Sequence, residues 1–213
     1  MPLPLPKLDY EGLFRDPRMF HSKSSFTAAG FEVNQPATHN IMVGGHPSTE
    51  RYFFKKYNRD LSLDKQEGNY RTRIRGSEKI RDVINRHRLE HIVVPHKWLY
   101  ELPRSFSERR QTAYILVVDR IDIVSVHETA KRYRNISPTV LDELCRVLYM
   151  FSGFDAAIHN LRFTTSEQIA FIDTESWDRS PRPGTRVFRR IDEELTKESR
   201  RRVERMFDKL DDD

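Results

Sequence analysis

The segment GFDAAIHNLRFTTSEQIAFIDTE, residues 153–175, decides the reading of this chain. It opens on Gly153 and Asp155 and reaches Asn160 five residues after the Asp. Two short apolar runs follow, Leu161-Arg-Phe163 and Ile169-Ala-Phe-Ile172, split by the polar turn Thr164–Gln168. Such a pair predicts a β-hairpin. Asp173 follows the second run, thirteen residues after Asn160, and Glu175 lies two further on. A carboxylate, an amide and two more carboxylates thus frame one hairpin. Hard divalent cations prefer such oxygen donors.

Working outward, Ser137-Pro138 predicts a helix start, with Ser as N-cap and Pro in the first turn. Val140, Leu141, Leu144, Val147, Leu148 and Phe151 then repeat at helical spacing. Gly153 is the expected stop. Beyond the hairpin, 178–187 read as a Pro/Gly loop. Residues 188–210 read as one or two amphipathic helices with Val203, Met206, Phe207 and Leu210 on one face.

Upstream, Tyr114–Val118 reads as a buried strand, continued by Ile121–Val124 after a polar break, with a charged loop before it at 101–112. Ile92–Pro95 and Trp98–Tyr100 predict further strand. A helix is expected within 70–90, starting either at an N-cap Ser77 or nearer Tyr70, after a polar loop at 58–69. Arg51–Tyr57 reads as an aromatic strand. Two strand-like runs precede it, Phe26–Val33 and His39–Val43, with Gly44–Pro47 as the turn. Residues 1–24, carrying Pro2, Pro4, Pro6 and Pro17, read as an irregular arm. The fold class is α+β, a sheet-rich first half followed by a helical second half.

Composition narrows the function classes. The 213 residues carry 37 Lys+Arg against 32 Asp+Glu, a net charge of +5. That mild excess suits an anionic ligand and falls short of a dedicated nucleic-acid binder. One cysteine, Cys145, excludes a disulfide framework or a multi-Cys zinc site; it reads as a helix-packing residue. There is no 18-residue apolar run and no basic-then-apolar leader, so neither a membrane helix nor a secretory signal is expected. His87 and His91 share a helical face but have no third ligand. Trp98 and Trp177 read as core or rim, and Arg200–Arg202 as a solvated basic face.

The Asp155–Asn160–Asp173 spacing resembles the catalytic loop and metal-binding Asp of the protein-kinase-like superfamily. Ile172-Asp173-Thr-Glu175 is similar to the Ile-Asp-x-Glu ending of choline kinases and aminoglycoside phosphotransferases. Tyr52-Phe-Phe-Lys55 resembles the third-strand lysine motif. The resemblance spans roughly 26–175 and implies a two-lobed fold: an arm at 1–25, an N-terminal lobe at 26–118 with antiparallel sheet and one helix, and a reduced, mainly helical lobe at 119–213. It implies ATP and Mg²⁺ as cofactors. In that scheme Asp155 orients the acceptor hydroxyl, and Asn160, Asp173 and Glu175 hold the metal. Lys55 contacts the phosphates, steadied by Glu78. Val118 and Asp119 line the nucleotide at the interlobe strand.

Lys56 and Glu67 are the alternatives for the ion pair. The acceptor is an unknown protein or small molecule. The chain departs from the family's pattern in three places: Gly153-Phe154 precede Asp155, no glycine follows Asp173 in the Asp-Phe-Gly manner, and no G-x-G-x-x-G exists among its eight glycines. These departures fit a minimal bacterial-type kinase or a pseudokinase serving as a protein-binding module. Transfer of AMP instead of phosphate is a variant on the same fold. A basic nucleic-acid-binding protein is the third reading. The expected compartment is the cytoplasm, or a host cytosol for a secreted effector.

Overall fold

The computed structural model describes residues 4–20, 22–33, 41–57, 62–103, 113–151, 156–174 and 189–212. The chain is α+β and divides into two compact units. One comprises Met1–Ile74 with His96–Arg120, the other Arg75–Pro95 with Ile121–Asp213. The expected lobes, 26–118 and 119–213, are therefore redrawn. Residues 1–25 group with the sheet, and 75–95 group with the C-terminal residues.

The first unit is built on an antiparallel sheet in the order β1-β2-β3-β6-β5. The strands are β1 (Glu32–Val33), β2 (Ile41–Gly45), β3 (Tyr52–Tyr57), β5 (Lys97–Glu101) and β6 (Tyr114–Asp119). On β3, every residue from Phe54 to Tyr57 is buried, because both sheet faces are covered. One face carries Phe54, Ile115 and Val117 against Tyr10, Phe14, Phe20, Phe26 and Phe31. The other carries Tyr57, Leu116 and Val118 against Tyr70. A strand covered on both faces reads as a continuous apolar run, which is the pattern of β6.

The expected arm is a correction. Residues 10–28 form α1 (Tyr10–Leu13), a 3₁₀ turn (Pro17–Phe20) and α2 (Lys23–Ala28). Asp9 caps α1 through the amide of Gly12, and Ser22 caps α2 through the amide of Ser25. Their aromatics, not a loop, fill one face of the sheet. Phe26–Ala28 is thus helical, and the first strand shrinks to Glu32–Val33. Gly44 and Gly45, expected in a turn, are strand residues. A Cβ on Gly44 would stand 2.5 Å from a ring carbon of Phe26, so glycine there lets β2 pass over the buried ring. The turn proper is the 3₁₀ segment Pro47–Thr49.

Helix α3 (Leu63–His87) runs 25 residues, so residues 63–69 of the expected loop are helical, while 58–61 lie outside the described residues. Ser77 is no cap; it lies mid-helix, buried, and donates its hydroxyl to the Pro95 carbonyl at 2.5 Å.

The second unit holds a three-stranded sheet in the order β4-β8-β7. Its strands are β4 (Ile92–Val93), β7 (Leu161–Phe163) and β8 (Ile169–Phe171). Strand β4 pairs parallel with β8, so Ile92–Val93 belongs here and not beside Trp98–Tyr100. Ile123 makes only an isolated bridge to Thr164 and does not continue β6. The expected hairpin is present, with Leu161 opposite Phe171 and Phe163 opposite Ile169.

Helix α4 (Val126–Arg134) went unread in the sequence although Ser125-x-x-Glu128 is a capping-box pattern; the Ser125 hydroxyl accepts from the Glu128 amide. Helix α5 (Pro138–Met150) starts at the Ser137 cap as expected. The short helix α6 (Arg189–Asp192) and α7 (Lys197–Asp212) complete the unit. Leu144, Cys145, Leu148, Val203 and Phe207 share its core. Arg202 grips Asp142 with two hydrogen bonds, 2.6 and 2.5 Å. Among the described residues no helix is long and apolar enough to cross a membrane.

Candidate functional site

The β7–β8 hairpin positions the site. Pairing continues one step past the strand ends, where the Ile172 amide donates to the Asn160 carbonyl at 2.9 Å. A tight turn returns the Asn160 amide to the Ala157 carbonyl at 2.8 Å. Asn160 and Asp173 therefore stand at neighbouring positions on the open end of the hairpin, both half-buried. The next residue, Thr174, is fully buried. Helix α3 crosses it so closely that a Cβ on Gly76 would stand 2.0 Å from the Thr174 carbonyl oxygen. That contact fixes the backbone immediately after Asp173. Asp155 and Glu175, expected as acceptor-orienting residue and third metal ligand, lie outside the described residues.

The amide oxygen of Asn160 and the carboxylate of Asp173 are hard donors suited to Mg²⁺, which takes one or two carboxylates and retains several waters. Among the described residues no group of three or more His, Cys, Asp or Glu side chains converges on a metal position. His91 does not join His87 in one: it bonds Glu143, at 3.0 Å through Nδ1 and 2.8 Å through its amide. His87 lies beside Arg146. Burial first, then Arg146 and Arg86, lower the His87 pKa.

Both lysines of β3 are buried, Lys55 at 8% and Lys56 at 2% exposure. The two lysines alternate onto opposite faces of the sheet, and both faces are covered. Lys55 stands opposite Leu116 on the α3 side, and its carbonyl accepts from the Tyr70 hydroxyl at 3.2 Å. Lys56 stands opposite Met42 on the aromatic side and donates Nζ to the Phe20 carbonyl at 2.5 Å. Burial lowers its pKa to about 8.

Glu78 sits on α3, half-buried, and makes no ion pair among the described residues. Glu67, its alternative, accepts from Arg71 at 2.7 Å and from the Tyr114 hydroxyl at 3.2 Å. Those donors, Arg71 foremost, hold its carboxyl below the ordinary range. Val118 is buried between Phe53 and Lys97. The Asp119 amide donates to His96 and the Arg120 amide to Arg51, at 3.0 and 2.8 Å, so neither is open to a nucleotide base. The Asp119 carboxylate holds His96 Nδ1 at 2.9 Å. His96 was not singled out in the sequence, where it follows Pro95 with no pattern around it.

No protein-family model matches the chain, and no curated protein matches it.

Proposed function

We propose that the protein is an ATP- and Mg²⁺-dependent phosphotransferase of the protein-kinase-like kind, acting on a hydroxyl of a protein or small molecule. One observation supports the reading: the hairpin register sets the Asn160 backbone against Ile172, the residue before Asp173, so an amide and a carboxylate lie at one end of the hairpin. The lysine-bearing third strand of an antiparallel sheet, followed by a long helix, supports it. In this scheme Asn160 and Asp173 hold Mg²⁺, which would neutralise charge on the transferring phosphoryl group. Asp155 orients the acceptor hydroxyl. Lys55 supplies positive charge toward the phosphates.

The test is a melting-temperature titration with Mg²⁺-ATP together with transfer from radiolabelled ATP to the protein and to generic acceptors. Ligand binding to the native state raises its melting temperature. The expected result is a shift in the wild type that Asp173→Ala and Asn160→Ala abolish, with label lost in those variants and in Asp155→Ala. A shift without label in any variant assigns the protein to the pseudokinase reading. Neither shift nor label refutes nucleotide binding altogether.

A further inference from the structure

Sheet register sets three side chains of the first unit in a row. Tyr52 on β3 lies opposite Asp119 on β6, and the Asp119 amide donates to the carbonyl of His96, just before β5. Trp98 is two residues further along, so its side chain leaves the same face as that of His96. The imidazole of His96 is held twice over. The Asp119 carboxylate meets Nδ1 at 2.9 Å, and the Trp98 ring stacks on the imidazole with centroids 5.7 Å apart. Tyr52 stands edge-on to Trp98 at 6.1 Å and braces it in turn.

The polarity of the pair follows from its members. A carboxylate only accepts, so the imidazole proton is on Nδ1 and the lone pair is on Nε2. The Asp119 side chain is 16% exposed, whereas that of His96 keeps 39%. Nε2 makes no hydrogen bond among the described residues. A cation stands at the same carboxylate: Arg51 Nε is 4.0 Å from Asp119 Oδ1. The Arg51 side chain is 79% exposed, and its guanidinium makes no hydrogen bond among the described residues. Charge holds it there and leaves its donors unspent. An imidazole whose second nitrogen is fixed by a carboxylate presents an oriented nucleophile. The planar fork of an arginine suits phosphate oxygens.

We propose that His96 is a phosphoryl carrier: Nε2 takes a phosphoryl group from a small phosphoramidate-type donor and holds it as phosphohistidine. The Nε2 lone pair forms the N–P bond as the bond from phosphorus to the leaving nitrogen breaks. That nitrogen departs with the bonding pair, as ammonia or an amine. The ring becomes an imidazolium that keeps its proton on Nδ1, offset by the Asp119 charge. Arg51 meets the phosphoryl oxygens, and Asp119 is a positioning residue. A nucleophilic acceptor later takes the group and returns the lone pair to Nε2. This chemistry needs neither nucleotide nor metal and does not rest on the phosphotransfer reading.

The experiment incubates the whole chain with potassium phosphoramidate. Peptide mass spectrometry at alkaline pH locates the adduct, and phosphorus NMR tells Nε2 from Nδ1 attachment. His127 and His159, both more exposed than His96, are the internal controls. The expected result is an Nε2 adduct on His96, formed about tenfold faster than on either control, and about tenfold slower in Asp119→Asn at unchanged melting temperature. Arg51→Ala, at a site too exposed to threaten folding, should slow it about threefold. Labelling of His96 no faster than of His127 or His159 in the wild type overturns the proposal without recourse to any variant. So does an Nδ1 adduct, or undiminished labelling in folded Asp119→Asn. Undiminished labelling in Arg51→Ala overturns the role of Arg51 at the phosphoryl oxygens.

Discussion

Replacing Lys56 by methionine should stabilise the protein at neutral pH. Lys56 is 2% exposed, and its ammonium has the Phe20 carbonyl as acceptor in a face lined by aromatic rings. Loss of water brings its pKa from the ordinary 10.5 to about 8. At 1.36 kcal/mol per pKa unit, holding the charge inside costs about 3 kcal/mol at pH 7. Methionine keeps the length and flexibility of the side chain and removes that cost. It also removes a hydrogen bond from a charged donor, a loss of about 1.5–3 kcal/mol. The net expectation is a gain of up to about 1.5 kcal/mol at pH 7.

The sign of the pH dependence is the sharper test. The folded pKa lies below the unfolded one, so between about 8 and 10.5 the unfolded chain binds the extra proton. Wild-type stability in this group therefore rises with pH across that window, and is lowest below it. By pH 9.5 the penalty has fallen by about 2 kcal/mol, from the same 1.36 kcal/mol per unit. Urea unfolding of wild type and Lys56→Met at pH 7 and 9.5 reads the difference directly. Ionisation of the tyrosines cancels in it. The advantage of methionine should shrink or reverse at the higher pH. A difference that is the same at both pH values refutes the claim that a desolvated charge is at issue.

Two further outcomes follow from close packing. Gly76→Ala should lower stability by about 3 kcal/mol or more, since its Cβ meets the Thr174 backbone carbonyl at 2.0 Å and neither partner is a flexible side-chain end; urea unfolding with a cost under 1 kcal/mol would show that α3 does not clamp this segment. Cys145 is fully buried, and burial, then Asp142, pushes its thiol pKa far above the ordinary value. It should therefore react with an aromatic disulfide reagent only on unfolding, and rapid native-state reaction would contradict the packing of α5.

What could be read in the sequence was what local periodicity encodes. Helix α5 buries one apolar stripe and announces its start with Ser137-Pro138, so spacing alone suffices. Helix α3 does not. Among its buried positions are Gln66, Arg73 and Ser77. Arg73 and Ser77 are satisfied by the Tyr57 hydroxyl and the Pro95 carbonyl, groups 16 and 18 residues away in the chain. An apolar count passes over such residues, and the first turns of the helix look like loop. The N-terminal aromatics fail for the same reason: Tyr10, Phe14, Phe20 and Phe26 acquire meaning only from the sheet face they cover. Gly76 signals a close approach, but its partner, Thr174, is visible only in three dimensions.

The candidate metal pair stands between these cases. The turn Thr164–Gln168 sets Phe163 opposite Ile169, and antiparallel pairing then runs outward one residue at a time on each strand. Continuing that count brings Asn160 opposite Ile172, the residue before Asp173, which is where the Ile172–Asn160 hydrogen bond is found. Hairpin register is thus a local code that reaches across thirteen residues of chain. A lysine on a sheet strand has no such code. Whether Lys55 or Lys56 faces water depends on what covers each face of the sheet, and here both faces are covered by segments distant in the sequence.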